Sequence, residues 1–174
     1  MTVPRHVVIT GLMGSGKTTL GRALAEELGR PFVDSDTTLQ RVTGESAREI
    51  AAGDGLERLH ALEAELLRDA LAAEVPAVVA AAASTIEDAD ARAALATPDI
   101  AVIWLRGAAP TLARRATPGG HRPTEALATI SAQAPRREPL YASVAAATID
   151  VDDLAPREVL AAALHALRSW RPPA

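Results

Sequence analysis

Residues Gly11 to Thr18 read Gly-Leu-Met-Gly-Ser-Gly-Lys-Thr, which is the G-x-x-x-x-G-K-[ST] spacing of a phosphate-binding loop. Its glycines let the backbone turn where a side chain would clash, so that consecutive N–H groups can point at one anion. Lys17 supplies a mobile cation for the outer phosphates of a nucleotide, and the Thr18 hydroxyl can ligate Mg²⁺. The stretch therefore predicts a site for a nucleoside triphosphate and its metal ion.

The flanking sequence agrees with this interpretation. The apolar run His6–Thr10 predicts a buried strand before the loop, and leucines four residues apart predict a helix over Lys17–Leu28. That helix would direct the positive end of its dipole at the same anion. The chain has 17 arginines and one lysine, and the lysine stands in this loop, where a point charge on a flexible stem suits phosphate.

Two carboxylates follow a second predicted strand at residues 31–33. Asp34 and Asp36 stand at the carboxyl end of that strand, where open α/β sheets bind ligands. Because strand residues alternate between faces, the two side chains are expected to point the same way. One could hold the metal ion and the other the hydroxyl group of a phosphate acceptor. The alternative is that Asp36 only caps a helix beginning at Thr37.

Composition narrows the class of protein. At 174 residues one domain with its own core is expected, and with 48% hydrophobic but only 2% aromatic residues Ala, Leu and Val must fill that core. A net charge of −4 without a long basic run argues against nucleic acid as a partner. No run is long enough to span a bilayer, and no leader-like start is present. We expect a cytoplasmic monomer or weak dimer that does not bind membranes.

Short apolar runs alternate with helical patterns along the rest of the chain. Further strands are predicted at residues 78–80, 100–105 and 148–151, and helices at 56–73, 87–96, 109–115 and 156–170. Ser46 and Glu49 have the spacing of a capping box. Residues 117–124 are dense in Gly and Pro and predict a mobile loop. The alternation indicates an α/β fold with a parallel sheet.

The chain resembles the shikimate kinases over nearly its full length. Besides the loop, the resemblance rests on Phe32-Val-Asp-Ser-Asp36, Arg41-Val-Thr-Gly-Glu-Ser46, Glu49-Ile50, the stretch from Gly55 to Glu63, His121-Arg122-Pro123 and Arg137-Glu-Pro-Leu-Tyr141. It implies a single three-layer α/β/α kinase domain over residues 1–174, with a five-stranded parallel sheet of order 2-3-1-4-5. It also implies a mobile lid at about residues 115–125 and an acceptor-binding region at about 36–63. The implied activity is transfer of the ATP γ-phosphate to a hydroxyl of a small polar metabolite.

The resemblance also assigns roles to single residues. It implies that ATP is held by Gly11, Met13, Gly14, Ser15, Gly16, Lys17, Thr18, Thr19, Arg115, Arg122 and Pro156. It implies that Thr18 and Asp34 bind Mg²⁺, and that Lys17, Asp36 and Arg122 are catalytic. The acceptor would be contacted by Asp36, His60, Ala82, Ala83, Ser84 and Arg137.

Several positions on the acceptor side depart from the family pattern. His60 stands where the family has an arginine that grips the shikimate carboxylate, and an ordinary histidine is largely uncharged at pH 7. Residues 82–84, Ala-Ala-Ser, replace three glycines that let backbone approach the acceptor ring. Ala51 replaces a pocket aromatic residue, and Ala80 replaces a hydroxyl residue near the metal. Losing an arginine–carboxylate pair from a shielded site costs about 2–5 kcal/mol of binding.

Basic residues that remain on the acceptor side also have two interpretations. Arg137 could hold an anionic acceptor alone, or it could belong to a solvated helix end together with Arg136. Neighbouring residues on a helix point apart, so at most one of the two should face the site. His60 could contact the acceptor, or it could be a partly buried helix residue with no ligand.

The departures leave more than one function open. An altered acceptor, such as another cyclitol, a sugar acid or a different hydroxylated metabolite, is favoured over shikimate, because the acceptor positions changed together while the ATP positions did not. A gluconate- or carbohydrate-type kinase, or a nucleotide-type kinase, is the first alternative. A degenerate protein that binds nucleotide without turnover is the second.

Overall fold

The structure is a computed structural model that describes residues 3–116 and 123–172. Within these ranges the strands are β1 His6–Thr10, β2 Phe32–Asp34, β3 Val78–Ala80, β4 Ile100–Arg106 and β5 Ala147–Asp150. The helices are α1 Lys17–Leu28, α2 Ser35–Thr43, α3 Ala47–Gly53, α4 Leu56–Ala72, α5 Ala89–Leu95, α6 Ala109–Ala116, α7 Pro123–Val144 and α8 Pro156–Ser169. A short 3-10 helix, Ala83–Glu87, follows β3. His121 and Arg122 of the predicted lid lie outside the described residues.

The strand β1 lies at the centre of the sheet. The five strands are parallel and ordered β2-β3-β1-β4-β5, which confirms the order that the resemblance implied. Every residue of β1 is buried, and since alternate residues face opposite sides, both faces of the sheet are covered. Helices provide this cover, with α1 against α8 and α4 against α5. The prediction of an α/β fold is confirmed.

The register of the parallel strands decides which residues meet at the carboxyl edge of the sheet. Ala80 on β3 pairs with Ile9 of β1 on one side and with Asp34 of β2 on the other. The loop after β1, the acidic turn after β2 and the residues after β3 therefore emerge side by side. Ligands of open α/β sheets bind at this edge.

The main core is aliphatic, as the composition predicted. Strand residues such as Val7, Ile9 and Ile103 are almost fully buried among leucines and alanines of the helices. The main aromatic contact joins Trp104 of β4 to Tyr141 of α7, with ring centroids 5.8 Å apart. No helix in the described ranges is both long enough and apolar enough to cross a membrane.

A second, smaller core cluster ties together the three helices that follow β2. Leu39 of α2, Ile50 of α3 and Leu59 of α4 are buried against one another. The predicted capping box is confirmed at the start of α3, where Ser46 and Glu49 exchange side-chain and backbone hydrogen bonds. This helical unit begins at the acidic turn and forms one side of the site described below.

Two element boundaries differ from the predictions in ways that matter for the site. β2 ends at Asp34, whose carboxylate accepts a hydrogen bond from the N–H of Thr37 at 3.1 Å and so caps α2. Asp36 therefore lies in the first turn of α2. The expected strand alternation between Asp34 and Asp36 is wrong, and so is the alternative that Asp36 is the cap. The backbone is still extended at Asp34 and is helical from Ser35, which explains the difference.

The second half of the chain shows similar differences in detail. The predicted helix at 87–96 is replaced by the 3-10 helix and α5, because Asp88 is extended and caps the N–H of Ala91. The helical segments predicted after the lid form one helix, α7, which contains Pro135 and Pro139. Each of these prolines lacks the N–H that a helix interior would use.

His6 is fully buried in β1, where a charged ring would be unfavourable. Its Nδ1 accepts a hydrogen bond from the N–H of Ala77 at 3.2 Å, and its Nε2 lies 3.1 Å from the carbonyl oxygen of Ala73. The neutral ring with its proton on Nε2 satisfies both contacts. Burial lowers the pKa of His6 below its ordinary value.

Acidification is expected to destabilise the fold through His6. The pKa is lower in the folded chain, so the unfolded chain binds a proton first, and stability is lost as the pH falls below 6.5, the ordinary value. Each unit of difference between the two states corresponds to about 1.4 kcal/mol. Urea unfolding at several pH values between about 7.5 and 5 measures the slope.

Two variants isolate the contribution of this ring. His6→Asn keeps an acceptor for the N–H of Ala77 but cannot take up a proton, so its stability should fall less steeply with acid. His165→Gln, at an exposed position of α8, should keep the original slope. An unchanged slope in His6→Asn would contradict the assignment.

Candidate active site

The phosphate-binding loop between β1 and α1 is packed tightly against its neighbours at two glycines. Gly11 and Gly14 have φ angles of 145° and 80°. A Cβ atom at Gly11 would stand 2.5 Å from the carbonyl oxygen of Leu105, and one at Gly14 would stand 2.1 Å from that of Leu112. Neither approach is possible for a side chain. The loop therefore takes its shape from glycines seated against β4 and α6.

Lys17 is the first residue of α1, and its side chain folds back over the loop. Nζ donates hydrogen bonds to the carbonyl oxygens of Gly11 at 3.0 Å and Leu12 at 3.2 Å. Burial lowers the pKa of Lys17 to about 8, although the charges of Asp36 and Asp34 act to raise it. An arriving phosphate would favour the charged form. The ammonium group is thus positioned to exchange two carbonyl partners for phosphate oxygens.

Thr18 and Asp34 come together at the mouth of the loop. The hydroxyl of Thr18 donates to Oδ2 of Asp34 at 2.8 Å, while Oδ1 of Asp34 caps α2. A hydroxyl and a carboxylate are oxygen ligands of the kind Mg²⁺ takes. The described residues contain no cluster of three or more His, Cys, Asp or Glu that could enclose a metal. As two oxygen ligands, Thr18 and Asp34 fit an ion such as Mg²⁺, which keeps waters and phosphate oxygens among its other ligands.

A cavity of about 320 Å³ opens beside the loop at the carboxyl edge of β2 and β3. Its walls comprise Met13, Gly14, Gly16, Lys17, Thr18, Thr19, Asp34, Ser35, Asp36, Glu63, Ala80, Ala81, Ala82 and Ala83. Residues that the sequence assigned to catalysis, metal and acceptor thus meet in one place. Asp34 and Asp36 do share a cavity, but they reach it as a helix cap and a helix residue.

The acidic groups of this cavity are not ordinary surface carboxylates. Partial burial, and then the charge of Asp34, raise the pKa of Asp36. Glu63 of α4 is 7% exposed, and burial raises its pKa even though a hydrogen bond from the Ser84 hydroxyl acts in the opposite direction. Both carboxyl groups are therefore better proton acceptors than their exposed counterparts.

Arg137 lies next to the cavity but does not line it. Its side chain is only 4% exposed, its Nε lies 3.2 Å from Oε1 of Glu87, and its NH1 donates to Gln133 at 2.9 Å. Arg136 reaches the same carboxylate at 3.4 Å. Both arginines thus reach one acid, although the side chain of Arg136 is largely exposed and that of Arg137 is buried. Neither lines the cavity, which agrees with the expectation that at most one of them faces it. Burial acts to raise the pKa of Glu87, but the hydrogen bond and charge of Arg137 prevail and lower it.

A second cavity, of about 300 Å³, lies on the other side of the loop toward α8. Gly14, Ser15, Gly16, Thr19, Leu20, Arg115, Val151, Leu154, Pro156 and Val159 line it. Arg115 is held there by a hydrogen bond from NH2 to the carbonyl oxygen of Val151 at 2.8 Å. The Ser15 hydroxyl is buried and has no hydrogen-bond partner among the described residues. An arginine above apolar side chains suits a flat nucleotide base.

The two cavities account for most of the predicted site residues, with some exceptions. Gly11 and Ser84 line neither cavity. The carbonyl oxygen of Gly11 accepts a hydrogen bond from Lys17, and the hydroxyl of Ser84 donates one to Glu63. His60 is partly buried and does not line the acceptor cavity. Arg122 lies outside the described residues.

Sequence reasoning did not place Glu63 and Glu87 among the site residues. Glu63 belongs to a family motif, and its place among Leu59, Leu62, Leu66 and Leu67 on one face of α4 is a usable signal for a buried carboxylate. For Glu87 we find no local signal, because its partners lie some fifty residues away on α7.

Comparison with known proteins then decides the family. The sequence model of the shikimate kinase family, described as "SKI: Shikimate kinase", matches residues 13–168. The shikimate kinase of Symbiobacterium thermophilum is 36% identical over 169 residues, covering 94% of this chain and 96% of that protein. This chain belongs to the shikimate kinase family. A further relative, the shikimate kinase of Thermobifida fusca, is 36% identical over 154 residues, or 87% of this chain and 88% of its own length.

Solved structures agree with membership of the shikimate kinase family. The shikimate kinase of Acinetobacter baumannii, solved in complex with shikimate, has a TM-score of 0.84 and 29% identity, covering 97% of this chain and 94% of that one. A gluconokinase from Sinorhizobium meliloti has a lower TM-score of 0.66 at 25% identity, with the same coverage of 97% and 94%. The chain is thus an ATP-dependent small-molecule kinase, a phosphotransferase that acts on an alcohol group.

The packing of the loop in this shikimate kinase family member can be tested by two alanine substitutions. Both Gly14→Ala and Gly16→Ala place a side chain at positive φ, at a cost of about 1–2 kcal/mol. Only the methyl group at Gly14 would also clash with backbone, at the carbonyl oxygen of Leu112, because a Cβ at Gly16 meets nothing within 4 Å. We expect Gly14→Ala to lose about 2–5 kcal/mol in the free energy of unfolding and Gly16→Ala about 1–2. Equal losses in urea unfolding of the ligand-free protein would contradict this packing.

Proposed function

We propose that this chain transfers the γ-phosphoryl group of ATP to a hydroxyl group of a small polyhydroxylated acceptor bound beside Lys17 and Asp36. The observation that carries the proposal is that the two cavities meet at the phosphate-binding loop, since Gly14, Gly16 and Thr19 line both. The cavity toward α8 would take the nucleoside and the cavity toward α2 the acceptor. The phosphates would then lie between donor and acceptor.

The loop would act on the phosphates by electrostatics. Backbone N–H groups at the start of α1 and the ammonium group of Lys17 would oppose the charge that spreads over the transferring phosphoryl group. Arg122 is proposed as a further positive group by the family resemblance. In this scheme Arg115 and Pro156 flank the base, as their position around the second cavity suggests.

Thr18 and Asp34 are the proposed holders of Mg²⁺. When bound there the ion would neutralise charge on the phosphate oxygens. Asp34 has a second task, because its other oxygen caps α2 and fixes the direction of that helix. This cap supports the placement of Asp36 in the first turn of α2, where it lines the cavity.

Asp36 is the proposed general base. The new bond would join the acceptor hydroxyl oxygen to the γ-phosphorus while the bond from that phosphorus to the bridging oxygen of ADP breaks. The hydroxyl proton would pass to the carboxylate of Asp36. The raised pKa of Asp36 supports this role, because it makes the carboxylate more basic than an ordinary aspartate.

The acceptor is proposed to differ from shikimate. Ala82 and Ala83 line the cavity where the family has glycines, and His60 replaces an arginine. Shikimate itself is the second candidate, favoured by the names of relatives that match nearly the whole chain. Gluconate is supported only by the weaker structural likeness to a gluconokinase.

Measuring ADP release separates these acceptors. The panel contains shikimate, gluconate, a nucleoside monophosphate, cyclitols and other hydroxy acids. We expect the highest kcat/KM with an acceptor other than shikimate, and a value at least about 30-fold lower with shikimate, the low end of the cost of a lost charge pair. Shikimate as the best acceptor, at an ordinary kinase rate of about 1–100 s⁻¹, would refute the altered acceptor and leave the kinase assignment intact.

The role of Lys17 can be tested with a matched change on the same helix. Lys17→Ala should lower kcat by about 100- to 1,000-fold, because a positive group aimed at the transferring phosphoryl is lost. Arg22→Ala removes a charge from an exposed position of α1 and should leave kcat within about threefold. Steady-state kinetics with the best acceptor measures both variants. Full activity in Lys17→Ala would refute the loop assignment.

Cytoplasmic location, a monomeric or weakly dimeric state, and a single domain over residues 1–174 are kept as predictions. They rest on composition and on the resemblance. Gel filtration with light scattering at several protein concentrations would measure the oligomeric state.

A further inference from the structure

The cavity beside Asp36 carries an excess of negative charge. Among the described residues that line it, three are acidic, Asp34, Asp36 and Glu63, and Lys17 is the only basic one. In the proposed function Lys17 faces the phosphates and Asp34 faces the metal ion. What remains toward the acceptor is therefore two carboxyl groups and no cation from the described lining.

The nearest buried cation is already neutralised. Arg137 forms an ion pair with Glu87, with Nε at 3.2 Å from one carboxylate oxygen and NH2 at 3.5 Å from the other, while NH1 donates to Gln133. Nε itself makes no hydrogen bond within the described residues. With its side chain 4% exposed, the guanidinium has little surface left for a ligand. The buried Tyr141, one turn further along α7, donates to the carbonyl oxygen of Ala83 at 2.8 Å. This bond ties the segment after β3 to α7.

That segment presents no positive group either. Ala82 and Ala83 line the cavity and have no polar side-chain group, and the hydroxyl of Ser84 donates to Glu63. A carboxylate accepts hydrogen bonds and does not donate them. Glu63 and Asp36 would therefore pair with ligand groups that donate, such as hydroxyls, and would repel a ligand carboxylate held nearby.

We infer that the acceptor is an uncharged polyol, a small molecule with several hydroxyl groups and no carboxylate, whose hydroxyls donate to Glu63 and Asp36. This inference rests on the proposed function, because it concerns the molecule that receives the phosphoryl group. In this inference Glu87 is a specificity-determining residue that does not touch the acceptor. It acts by pairing with Arg137 and so offsetting the positive charge next to the cavity.

Two pairs of ligands test the charge of the acceptor. The first pair is shikimate and the alcohol formed when its carboxylate is reduced to a hydroxymethyl group. The second pair is gluconate and glucitol. Binding is measured by calorimetry with ADP and Mg²⁺ present, and kcat/KM is measured with ATP. We expect the uncharged member to be favoured at least about tenfold in one pair or both, in binding and in kcat/KM.

The wild-type results distinguish failure of this inference from failure of the proposed function. No preference for an uncharged member in either pair, including no binding of any of the four at about 10 mM, overturns the inference. If ADP binds in those experiments, the nucleotide half of the proposed function stands. If ADP itself does not bind, the proposed function fails together with the inference.

Variants then test the role assigned to Glu87. Glu87→Gln removes the charge that neutralises Arg137, so shikimate should bind at least about tenfold tighter while the reduced alcohol changes by less than about threefold. Asp90→Asn, an exposed acid three residues away, should change neither ligand. Shikimate binding that does not improve in a folded Glu87→Gln protein overturns the role of Glu87.

A second variant guards against misfolding of Glu87→Gln. His60 lies three residues before Glu63 on α4, and residues at this spacing are neighbours on a helix surface. His60→Arg adds a cation at this position without breaking the contacts of Arg137. It should also favour shikimate over the reduced alcohol by about tenfold relative to the wild type. An unchanged ratio in His60→Arg counts against repulsion of the carboxylate as the basis of selection.

Discussion

The parallel register of three strands is the constraint on which the rest of the site depends. Ala80 pairs with both Ile9 and Asp34, so the chain leaves β1, β2 and β3 at the same level of the sheet. The phosphate-binding loop, the acidic turn and the wall of the acceptor cavity are therefore adjacent without any direct sequence link. A slip of one residue in any of these pairings would turn the following segment to the other face.

Charge compensation explains how so many ionisable groups are held at this edge. Lys17 donates hydrogen bonds to two loop carbonyl oxygens and is also stabilised by the negative charges of Asp34 and Asp36. Arg137 forms an ion pair with Glu87. Buried charges are tolerated when they are paired, and an unpaired one is costly. The nucleotide half thus has a cation that a phosphate can engage, whereas the cation of the acceptor half is already paired. That asymmetry links the electrostatics of the fold to the choice of acceptor.

Local signals predicted most of the fold and the nucleotide half of the site. A phosphate-binding loop is contiguous in sequence, and its flanking strand and helix have clear periodicity, so β1, the loop and α1 were predicted with correct bounds or nearly so. The proposed acceptor half is assembled from α2, α4 and the segment after β3. The strand alternation predicted for Asp34 and Asp36 was wrong because an extended residue can either continue a strand or cap a helix, and the sequence does not distinguish the two. In the structure Asp34 is the extended cap and the helix begins at Ser35.

By itself the sequence determined the parallel α/β class and the phosphate-binding loop, and it placed Asp34 and Asp36 near that loop as candidate oxygen ligands. These follow from periodicity, from the steric freedom of glycine and from the chemistry of neighbouring residues. Only the tertiary structure decided that Glu63 lines the acceptor cavity and that Arg137 is bound to Glu87 behind it. The reason is that burial and ion pairing depend on side chains brought together from distant segments, some fifty residues apart in the case of Glu87 and Arg137.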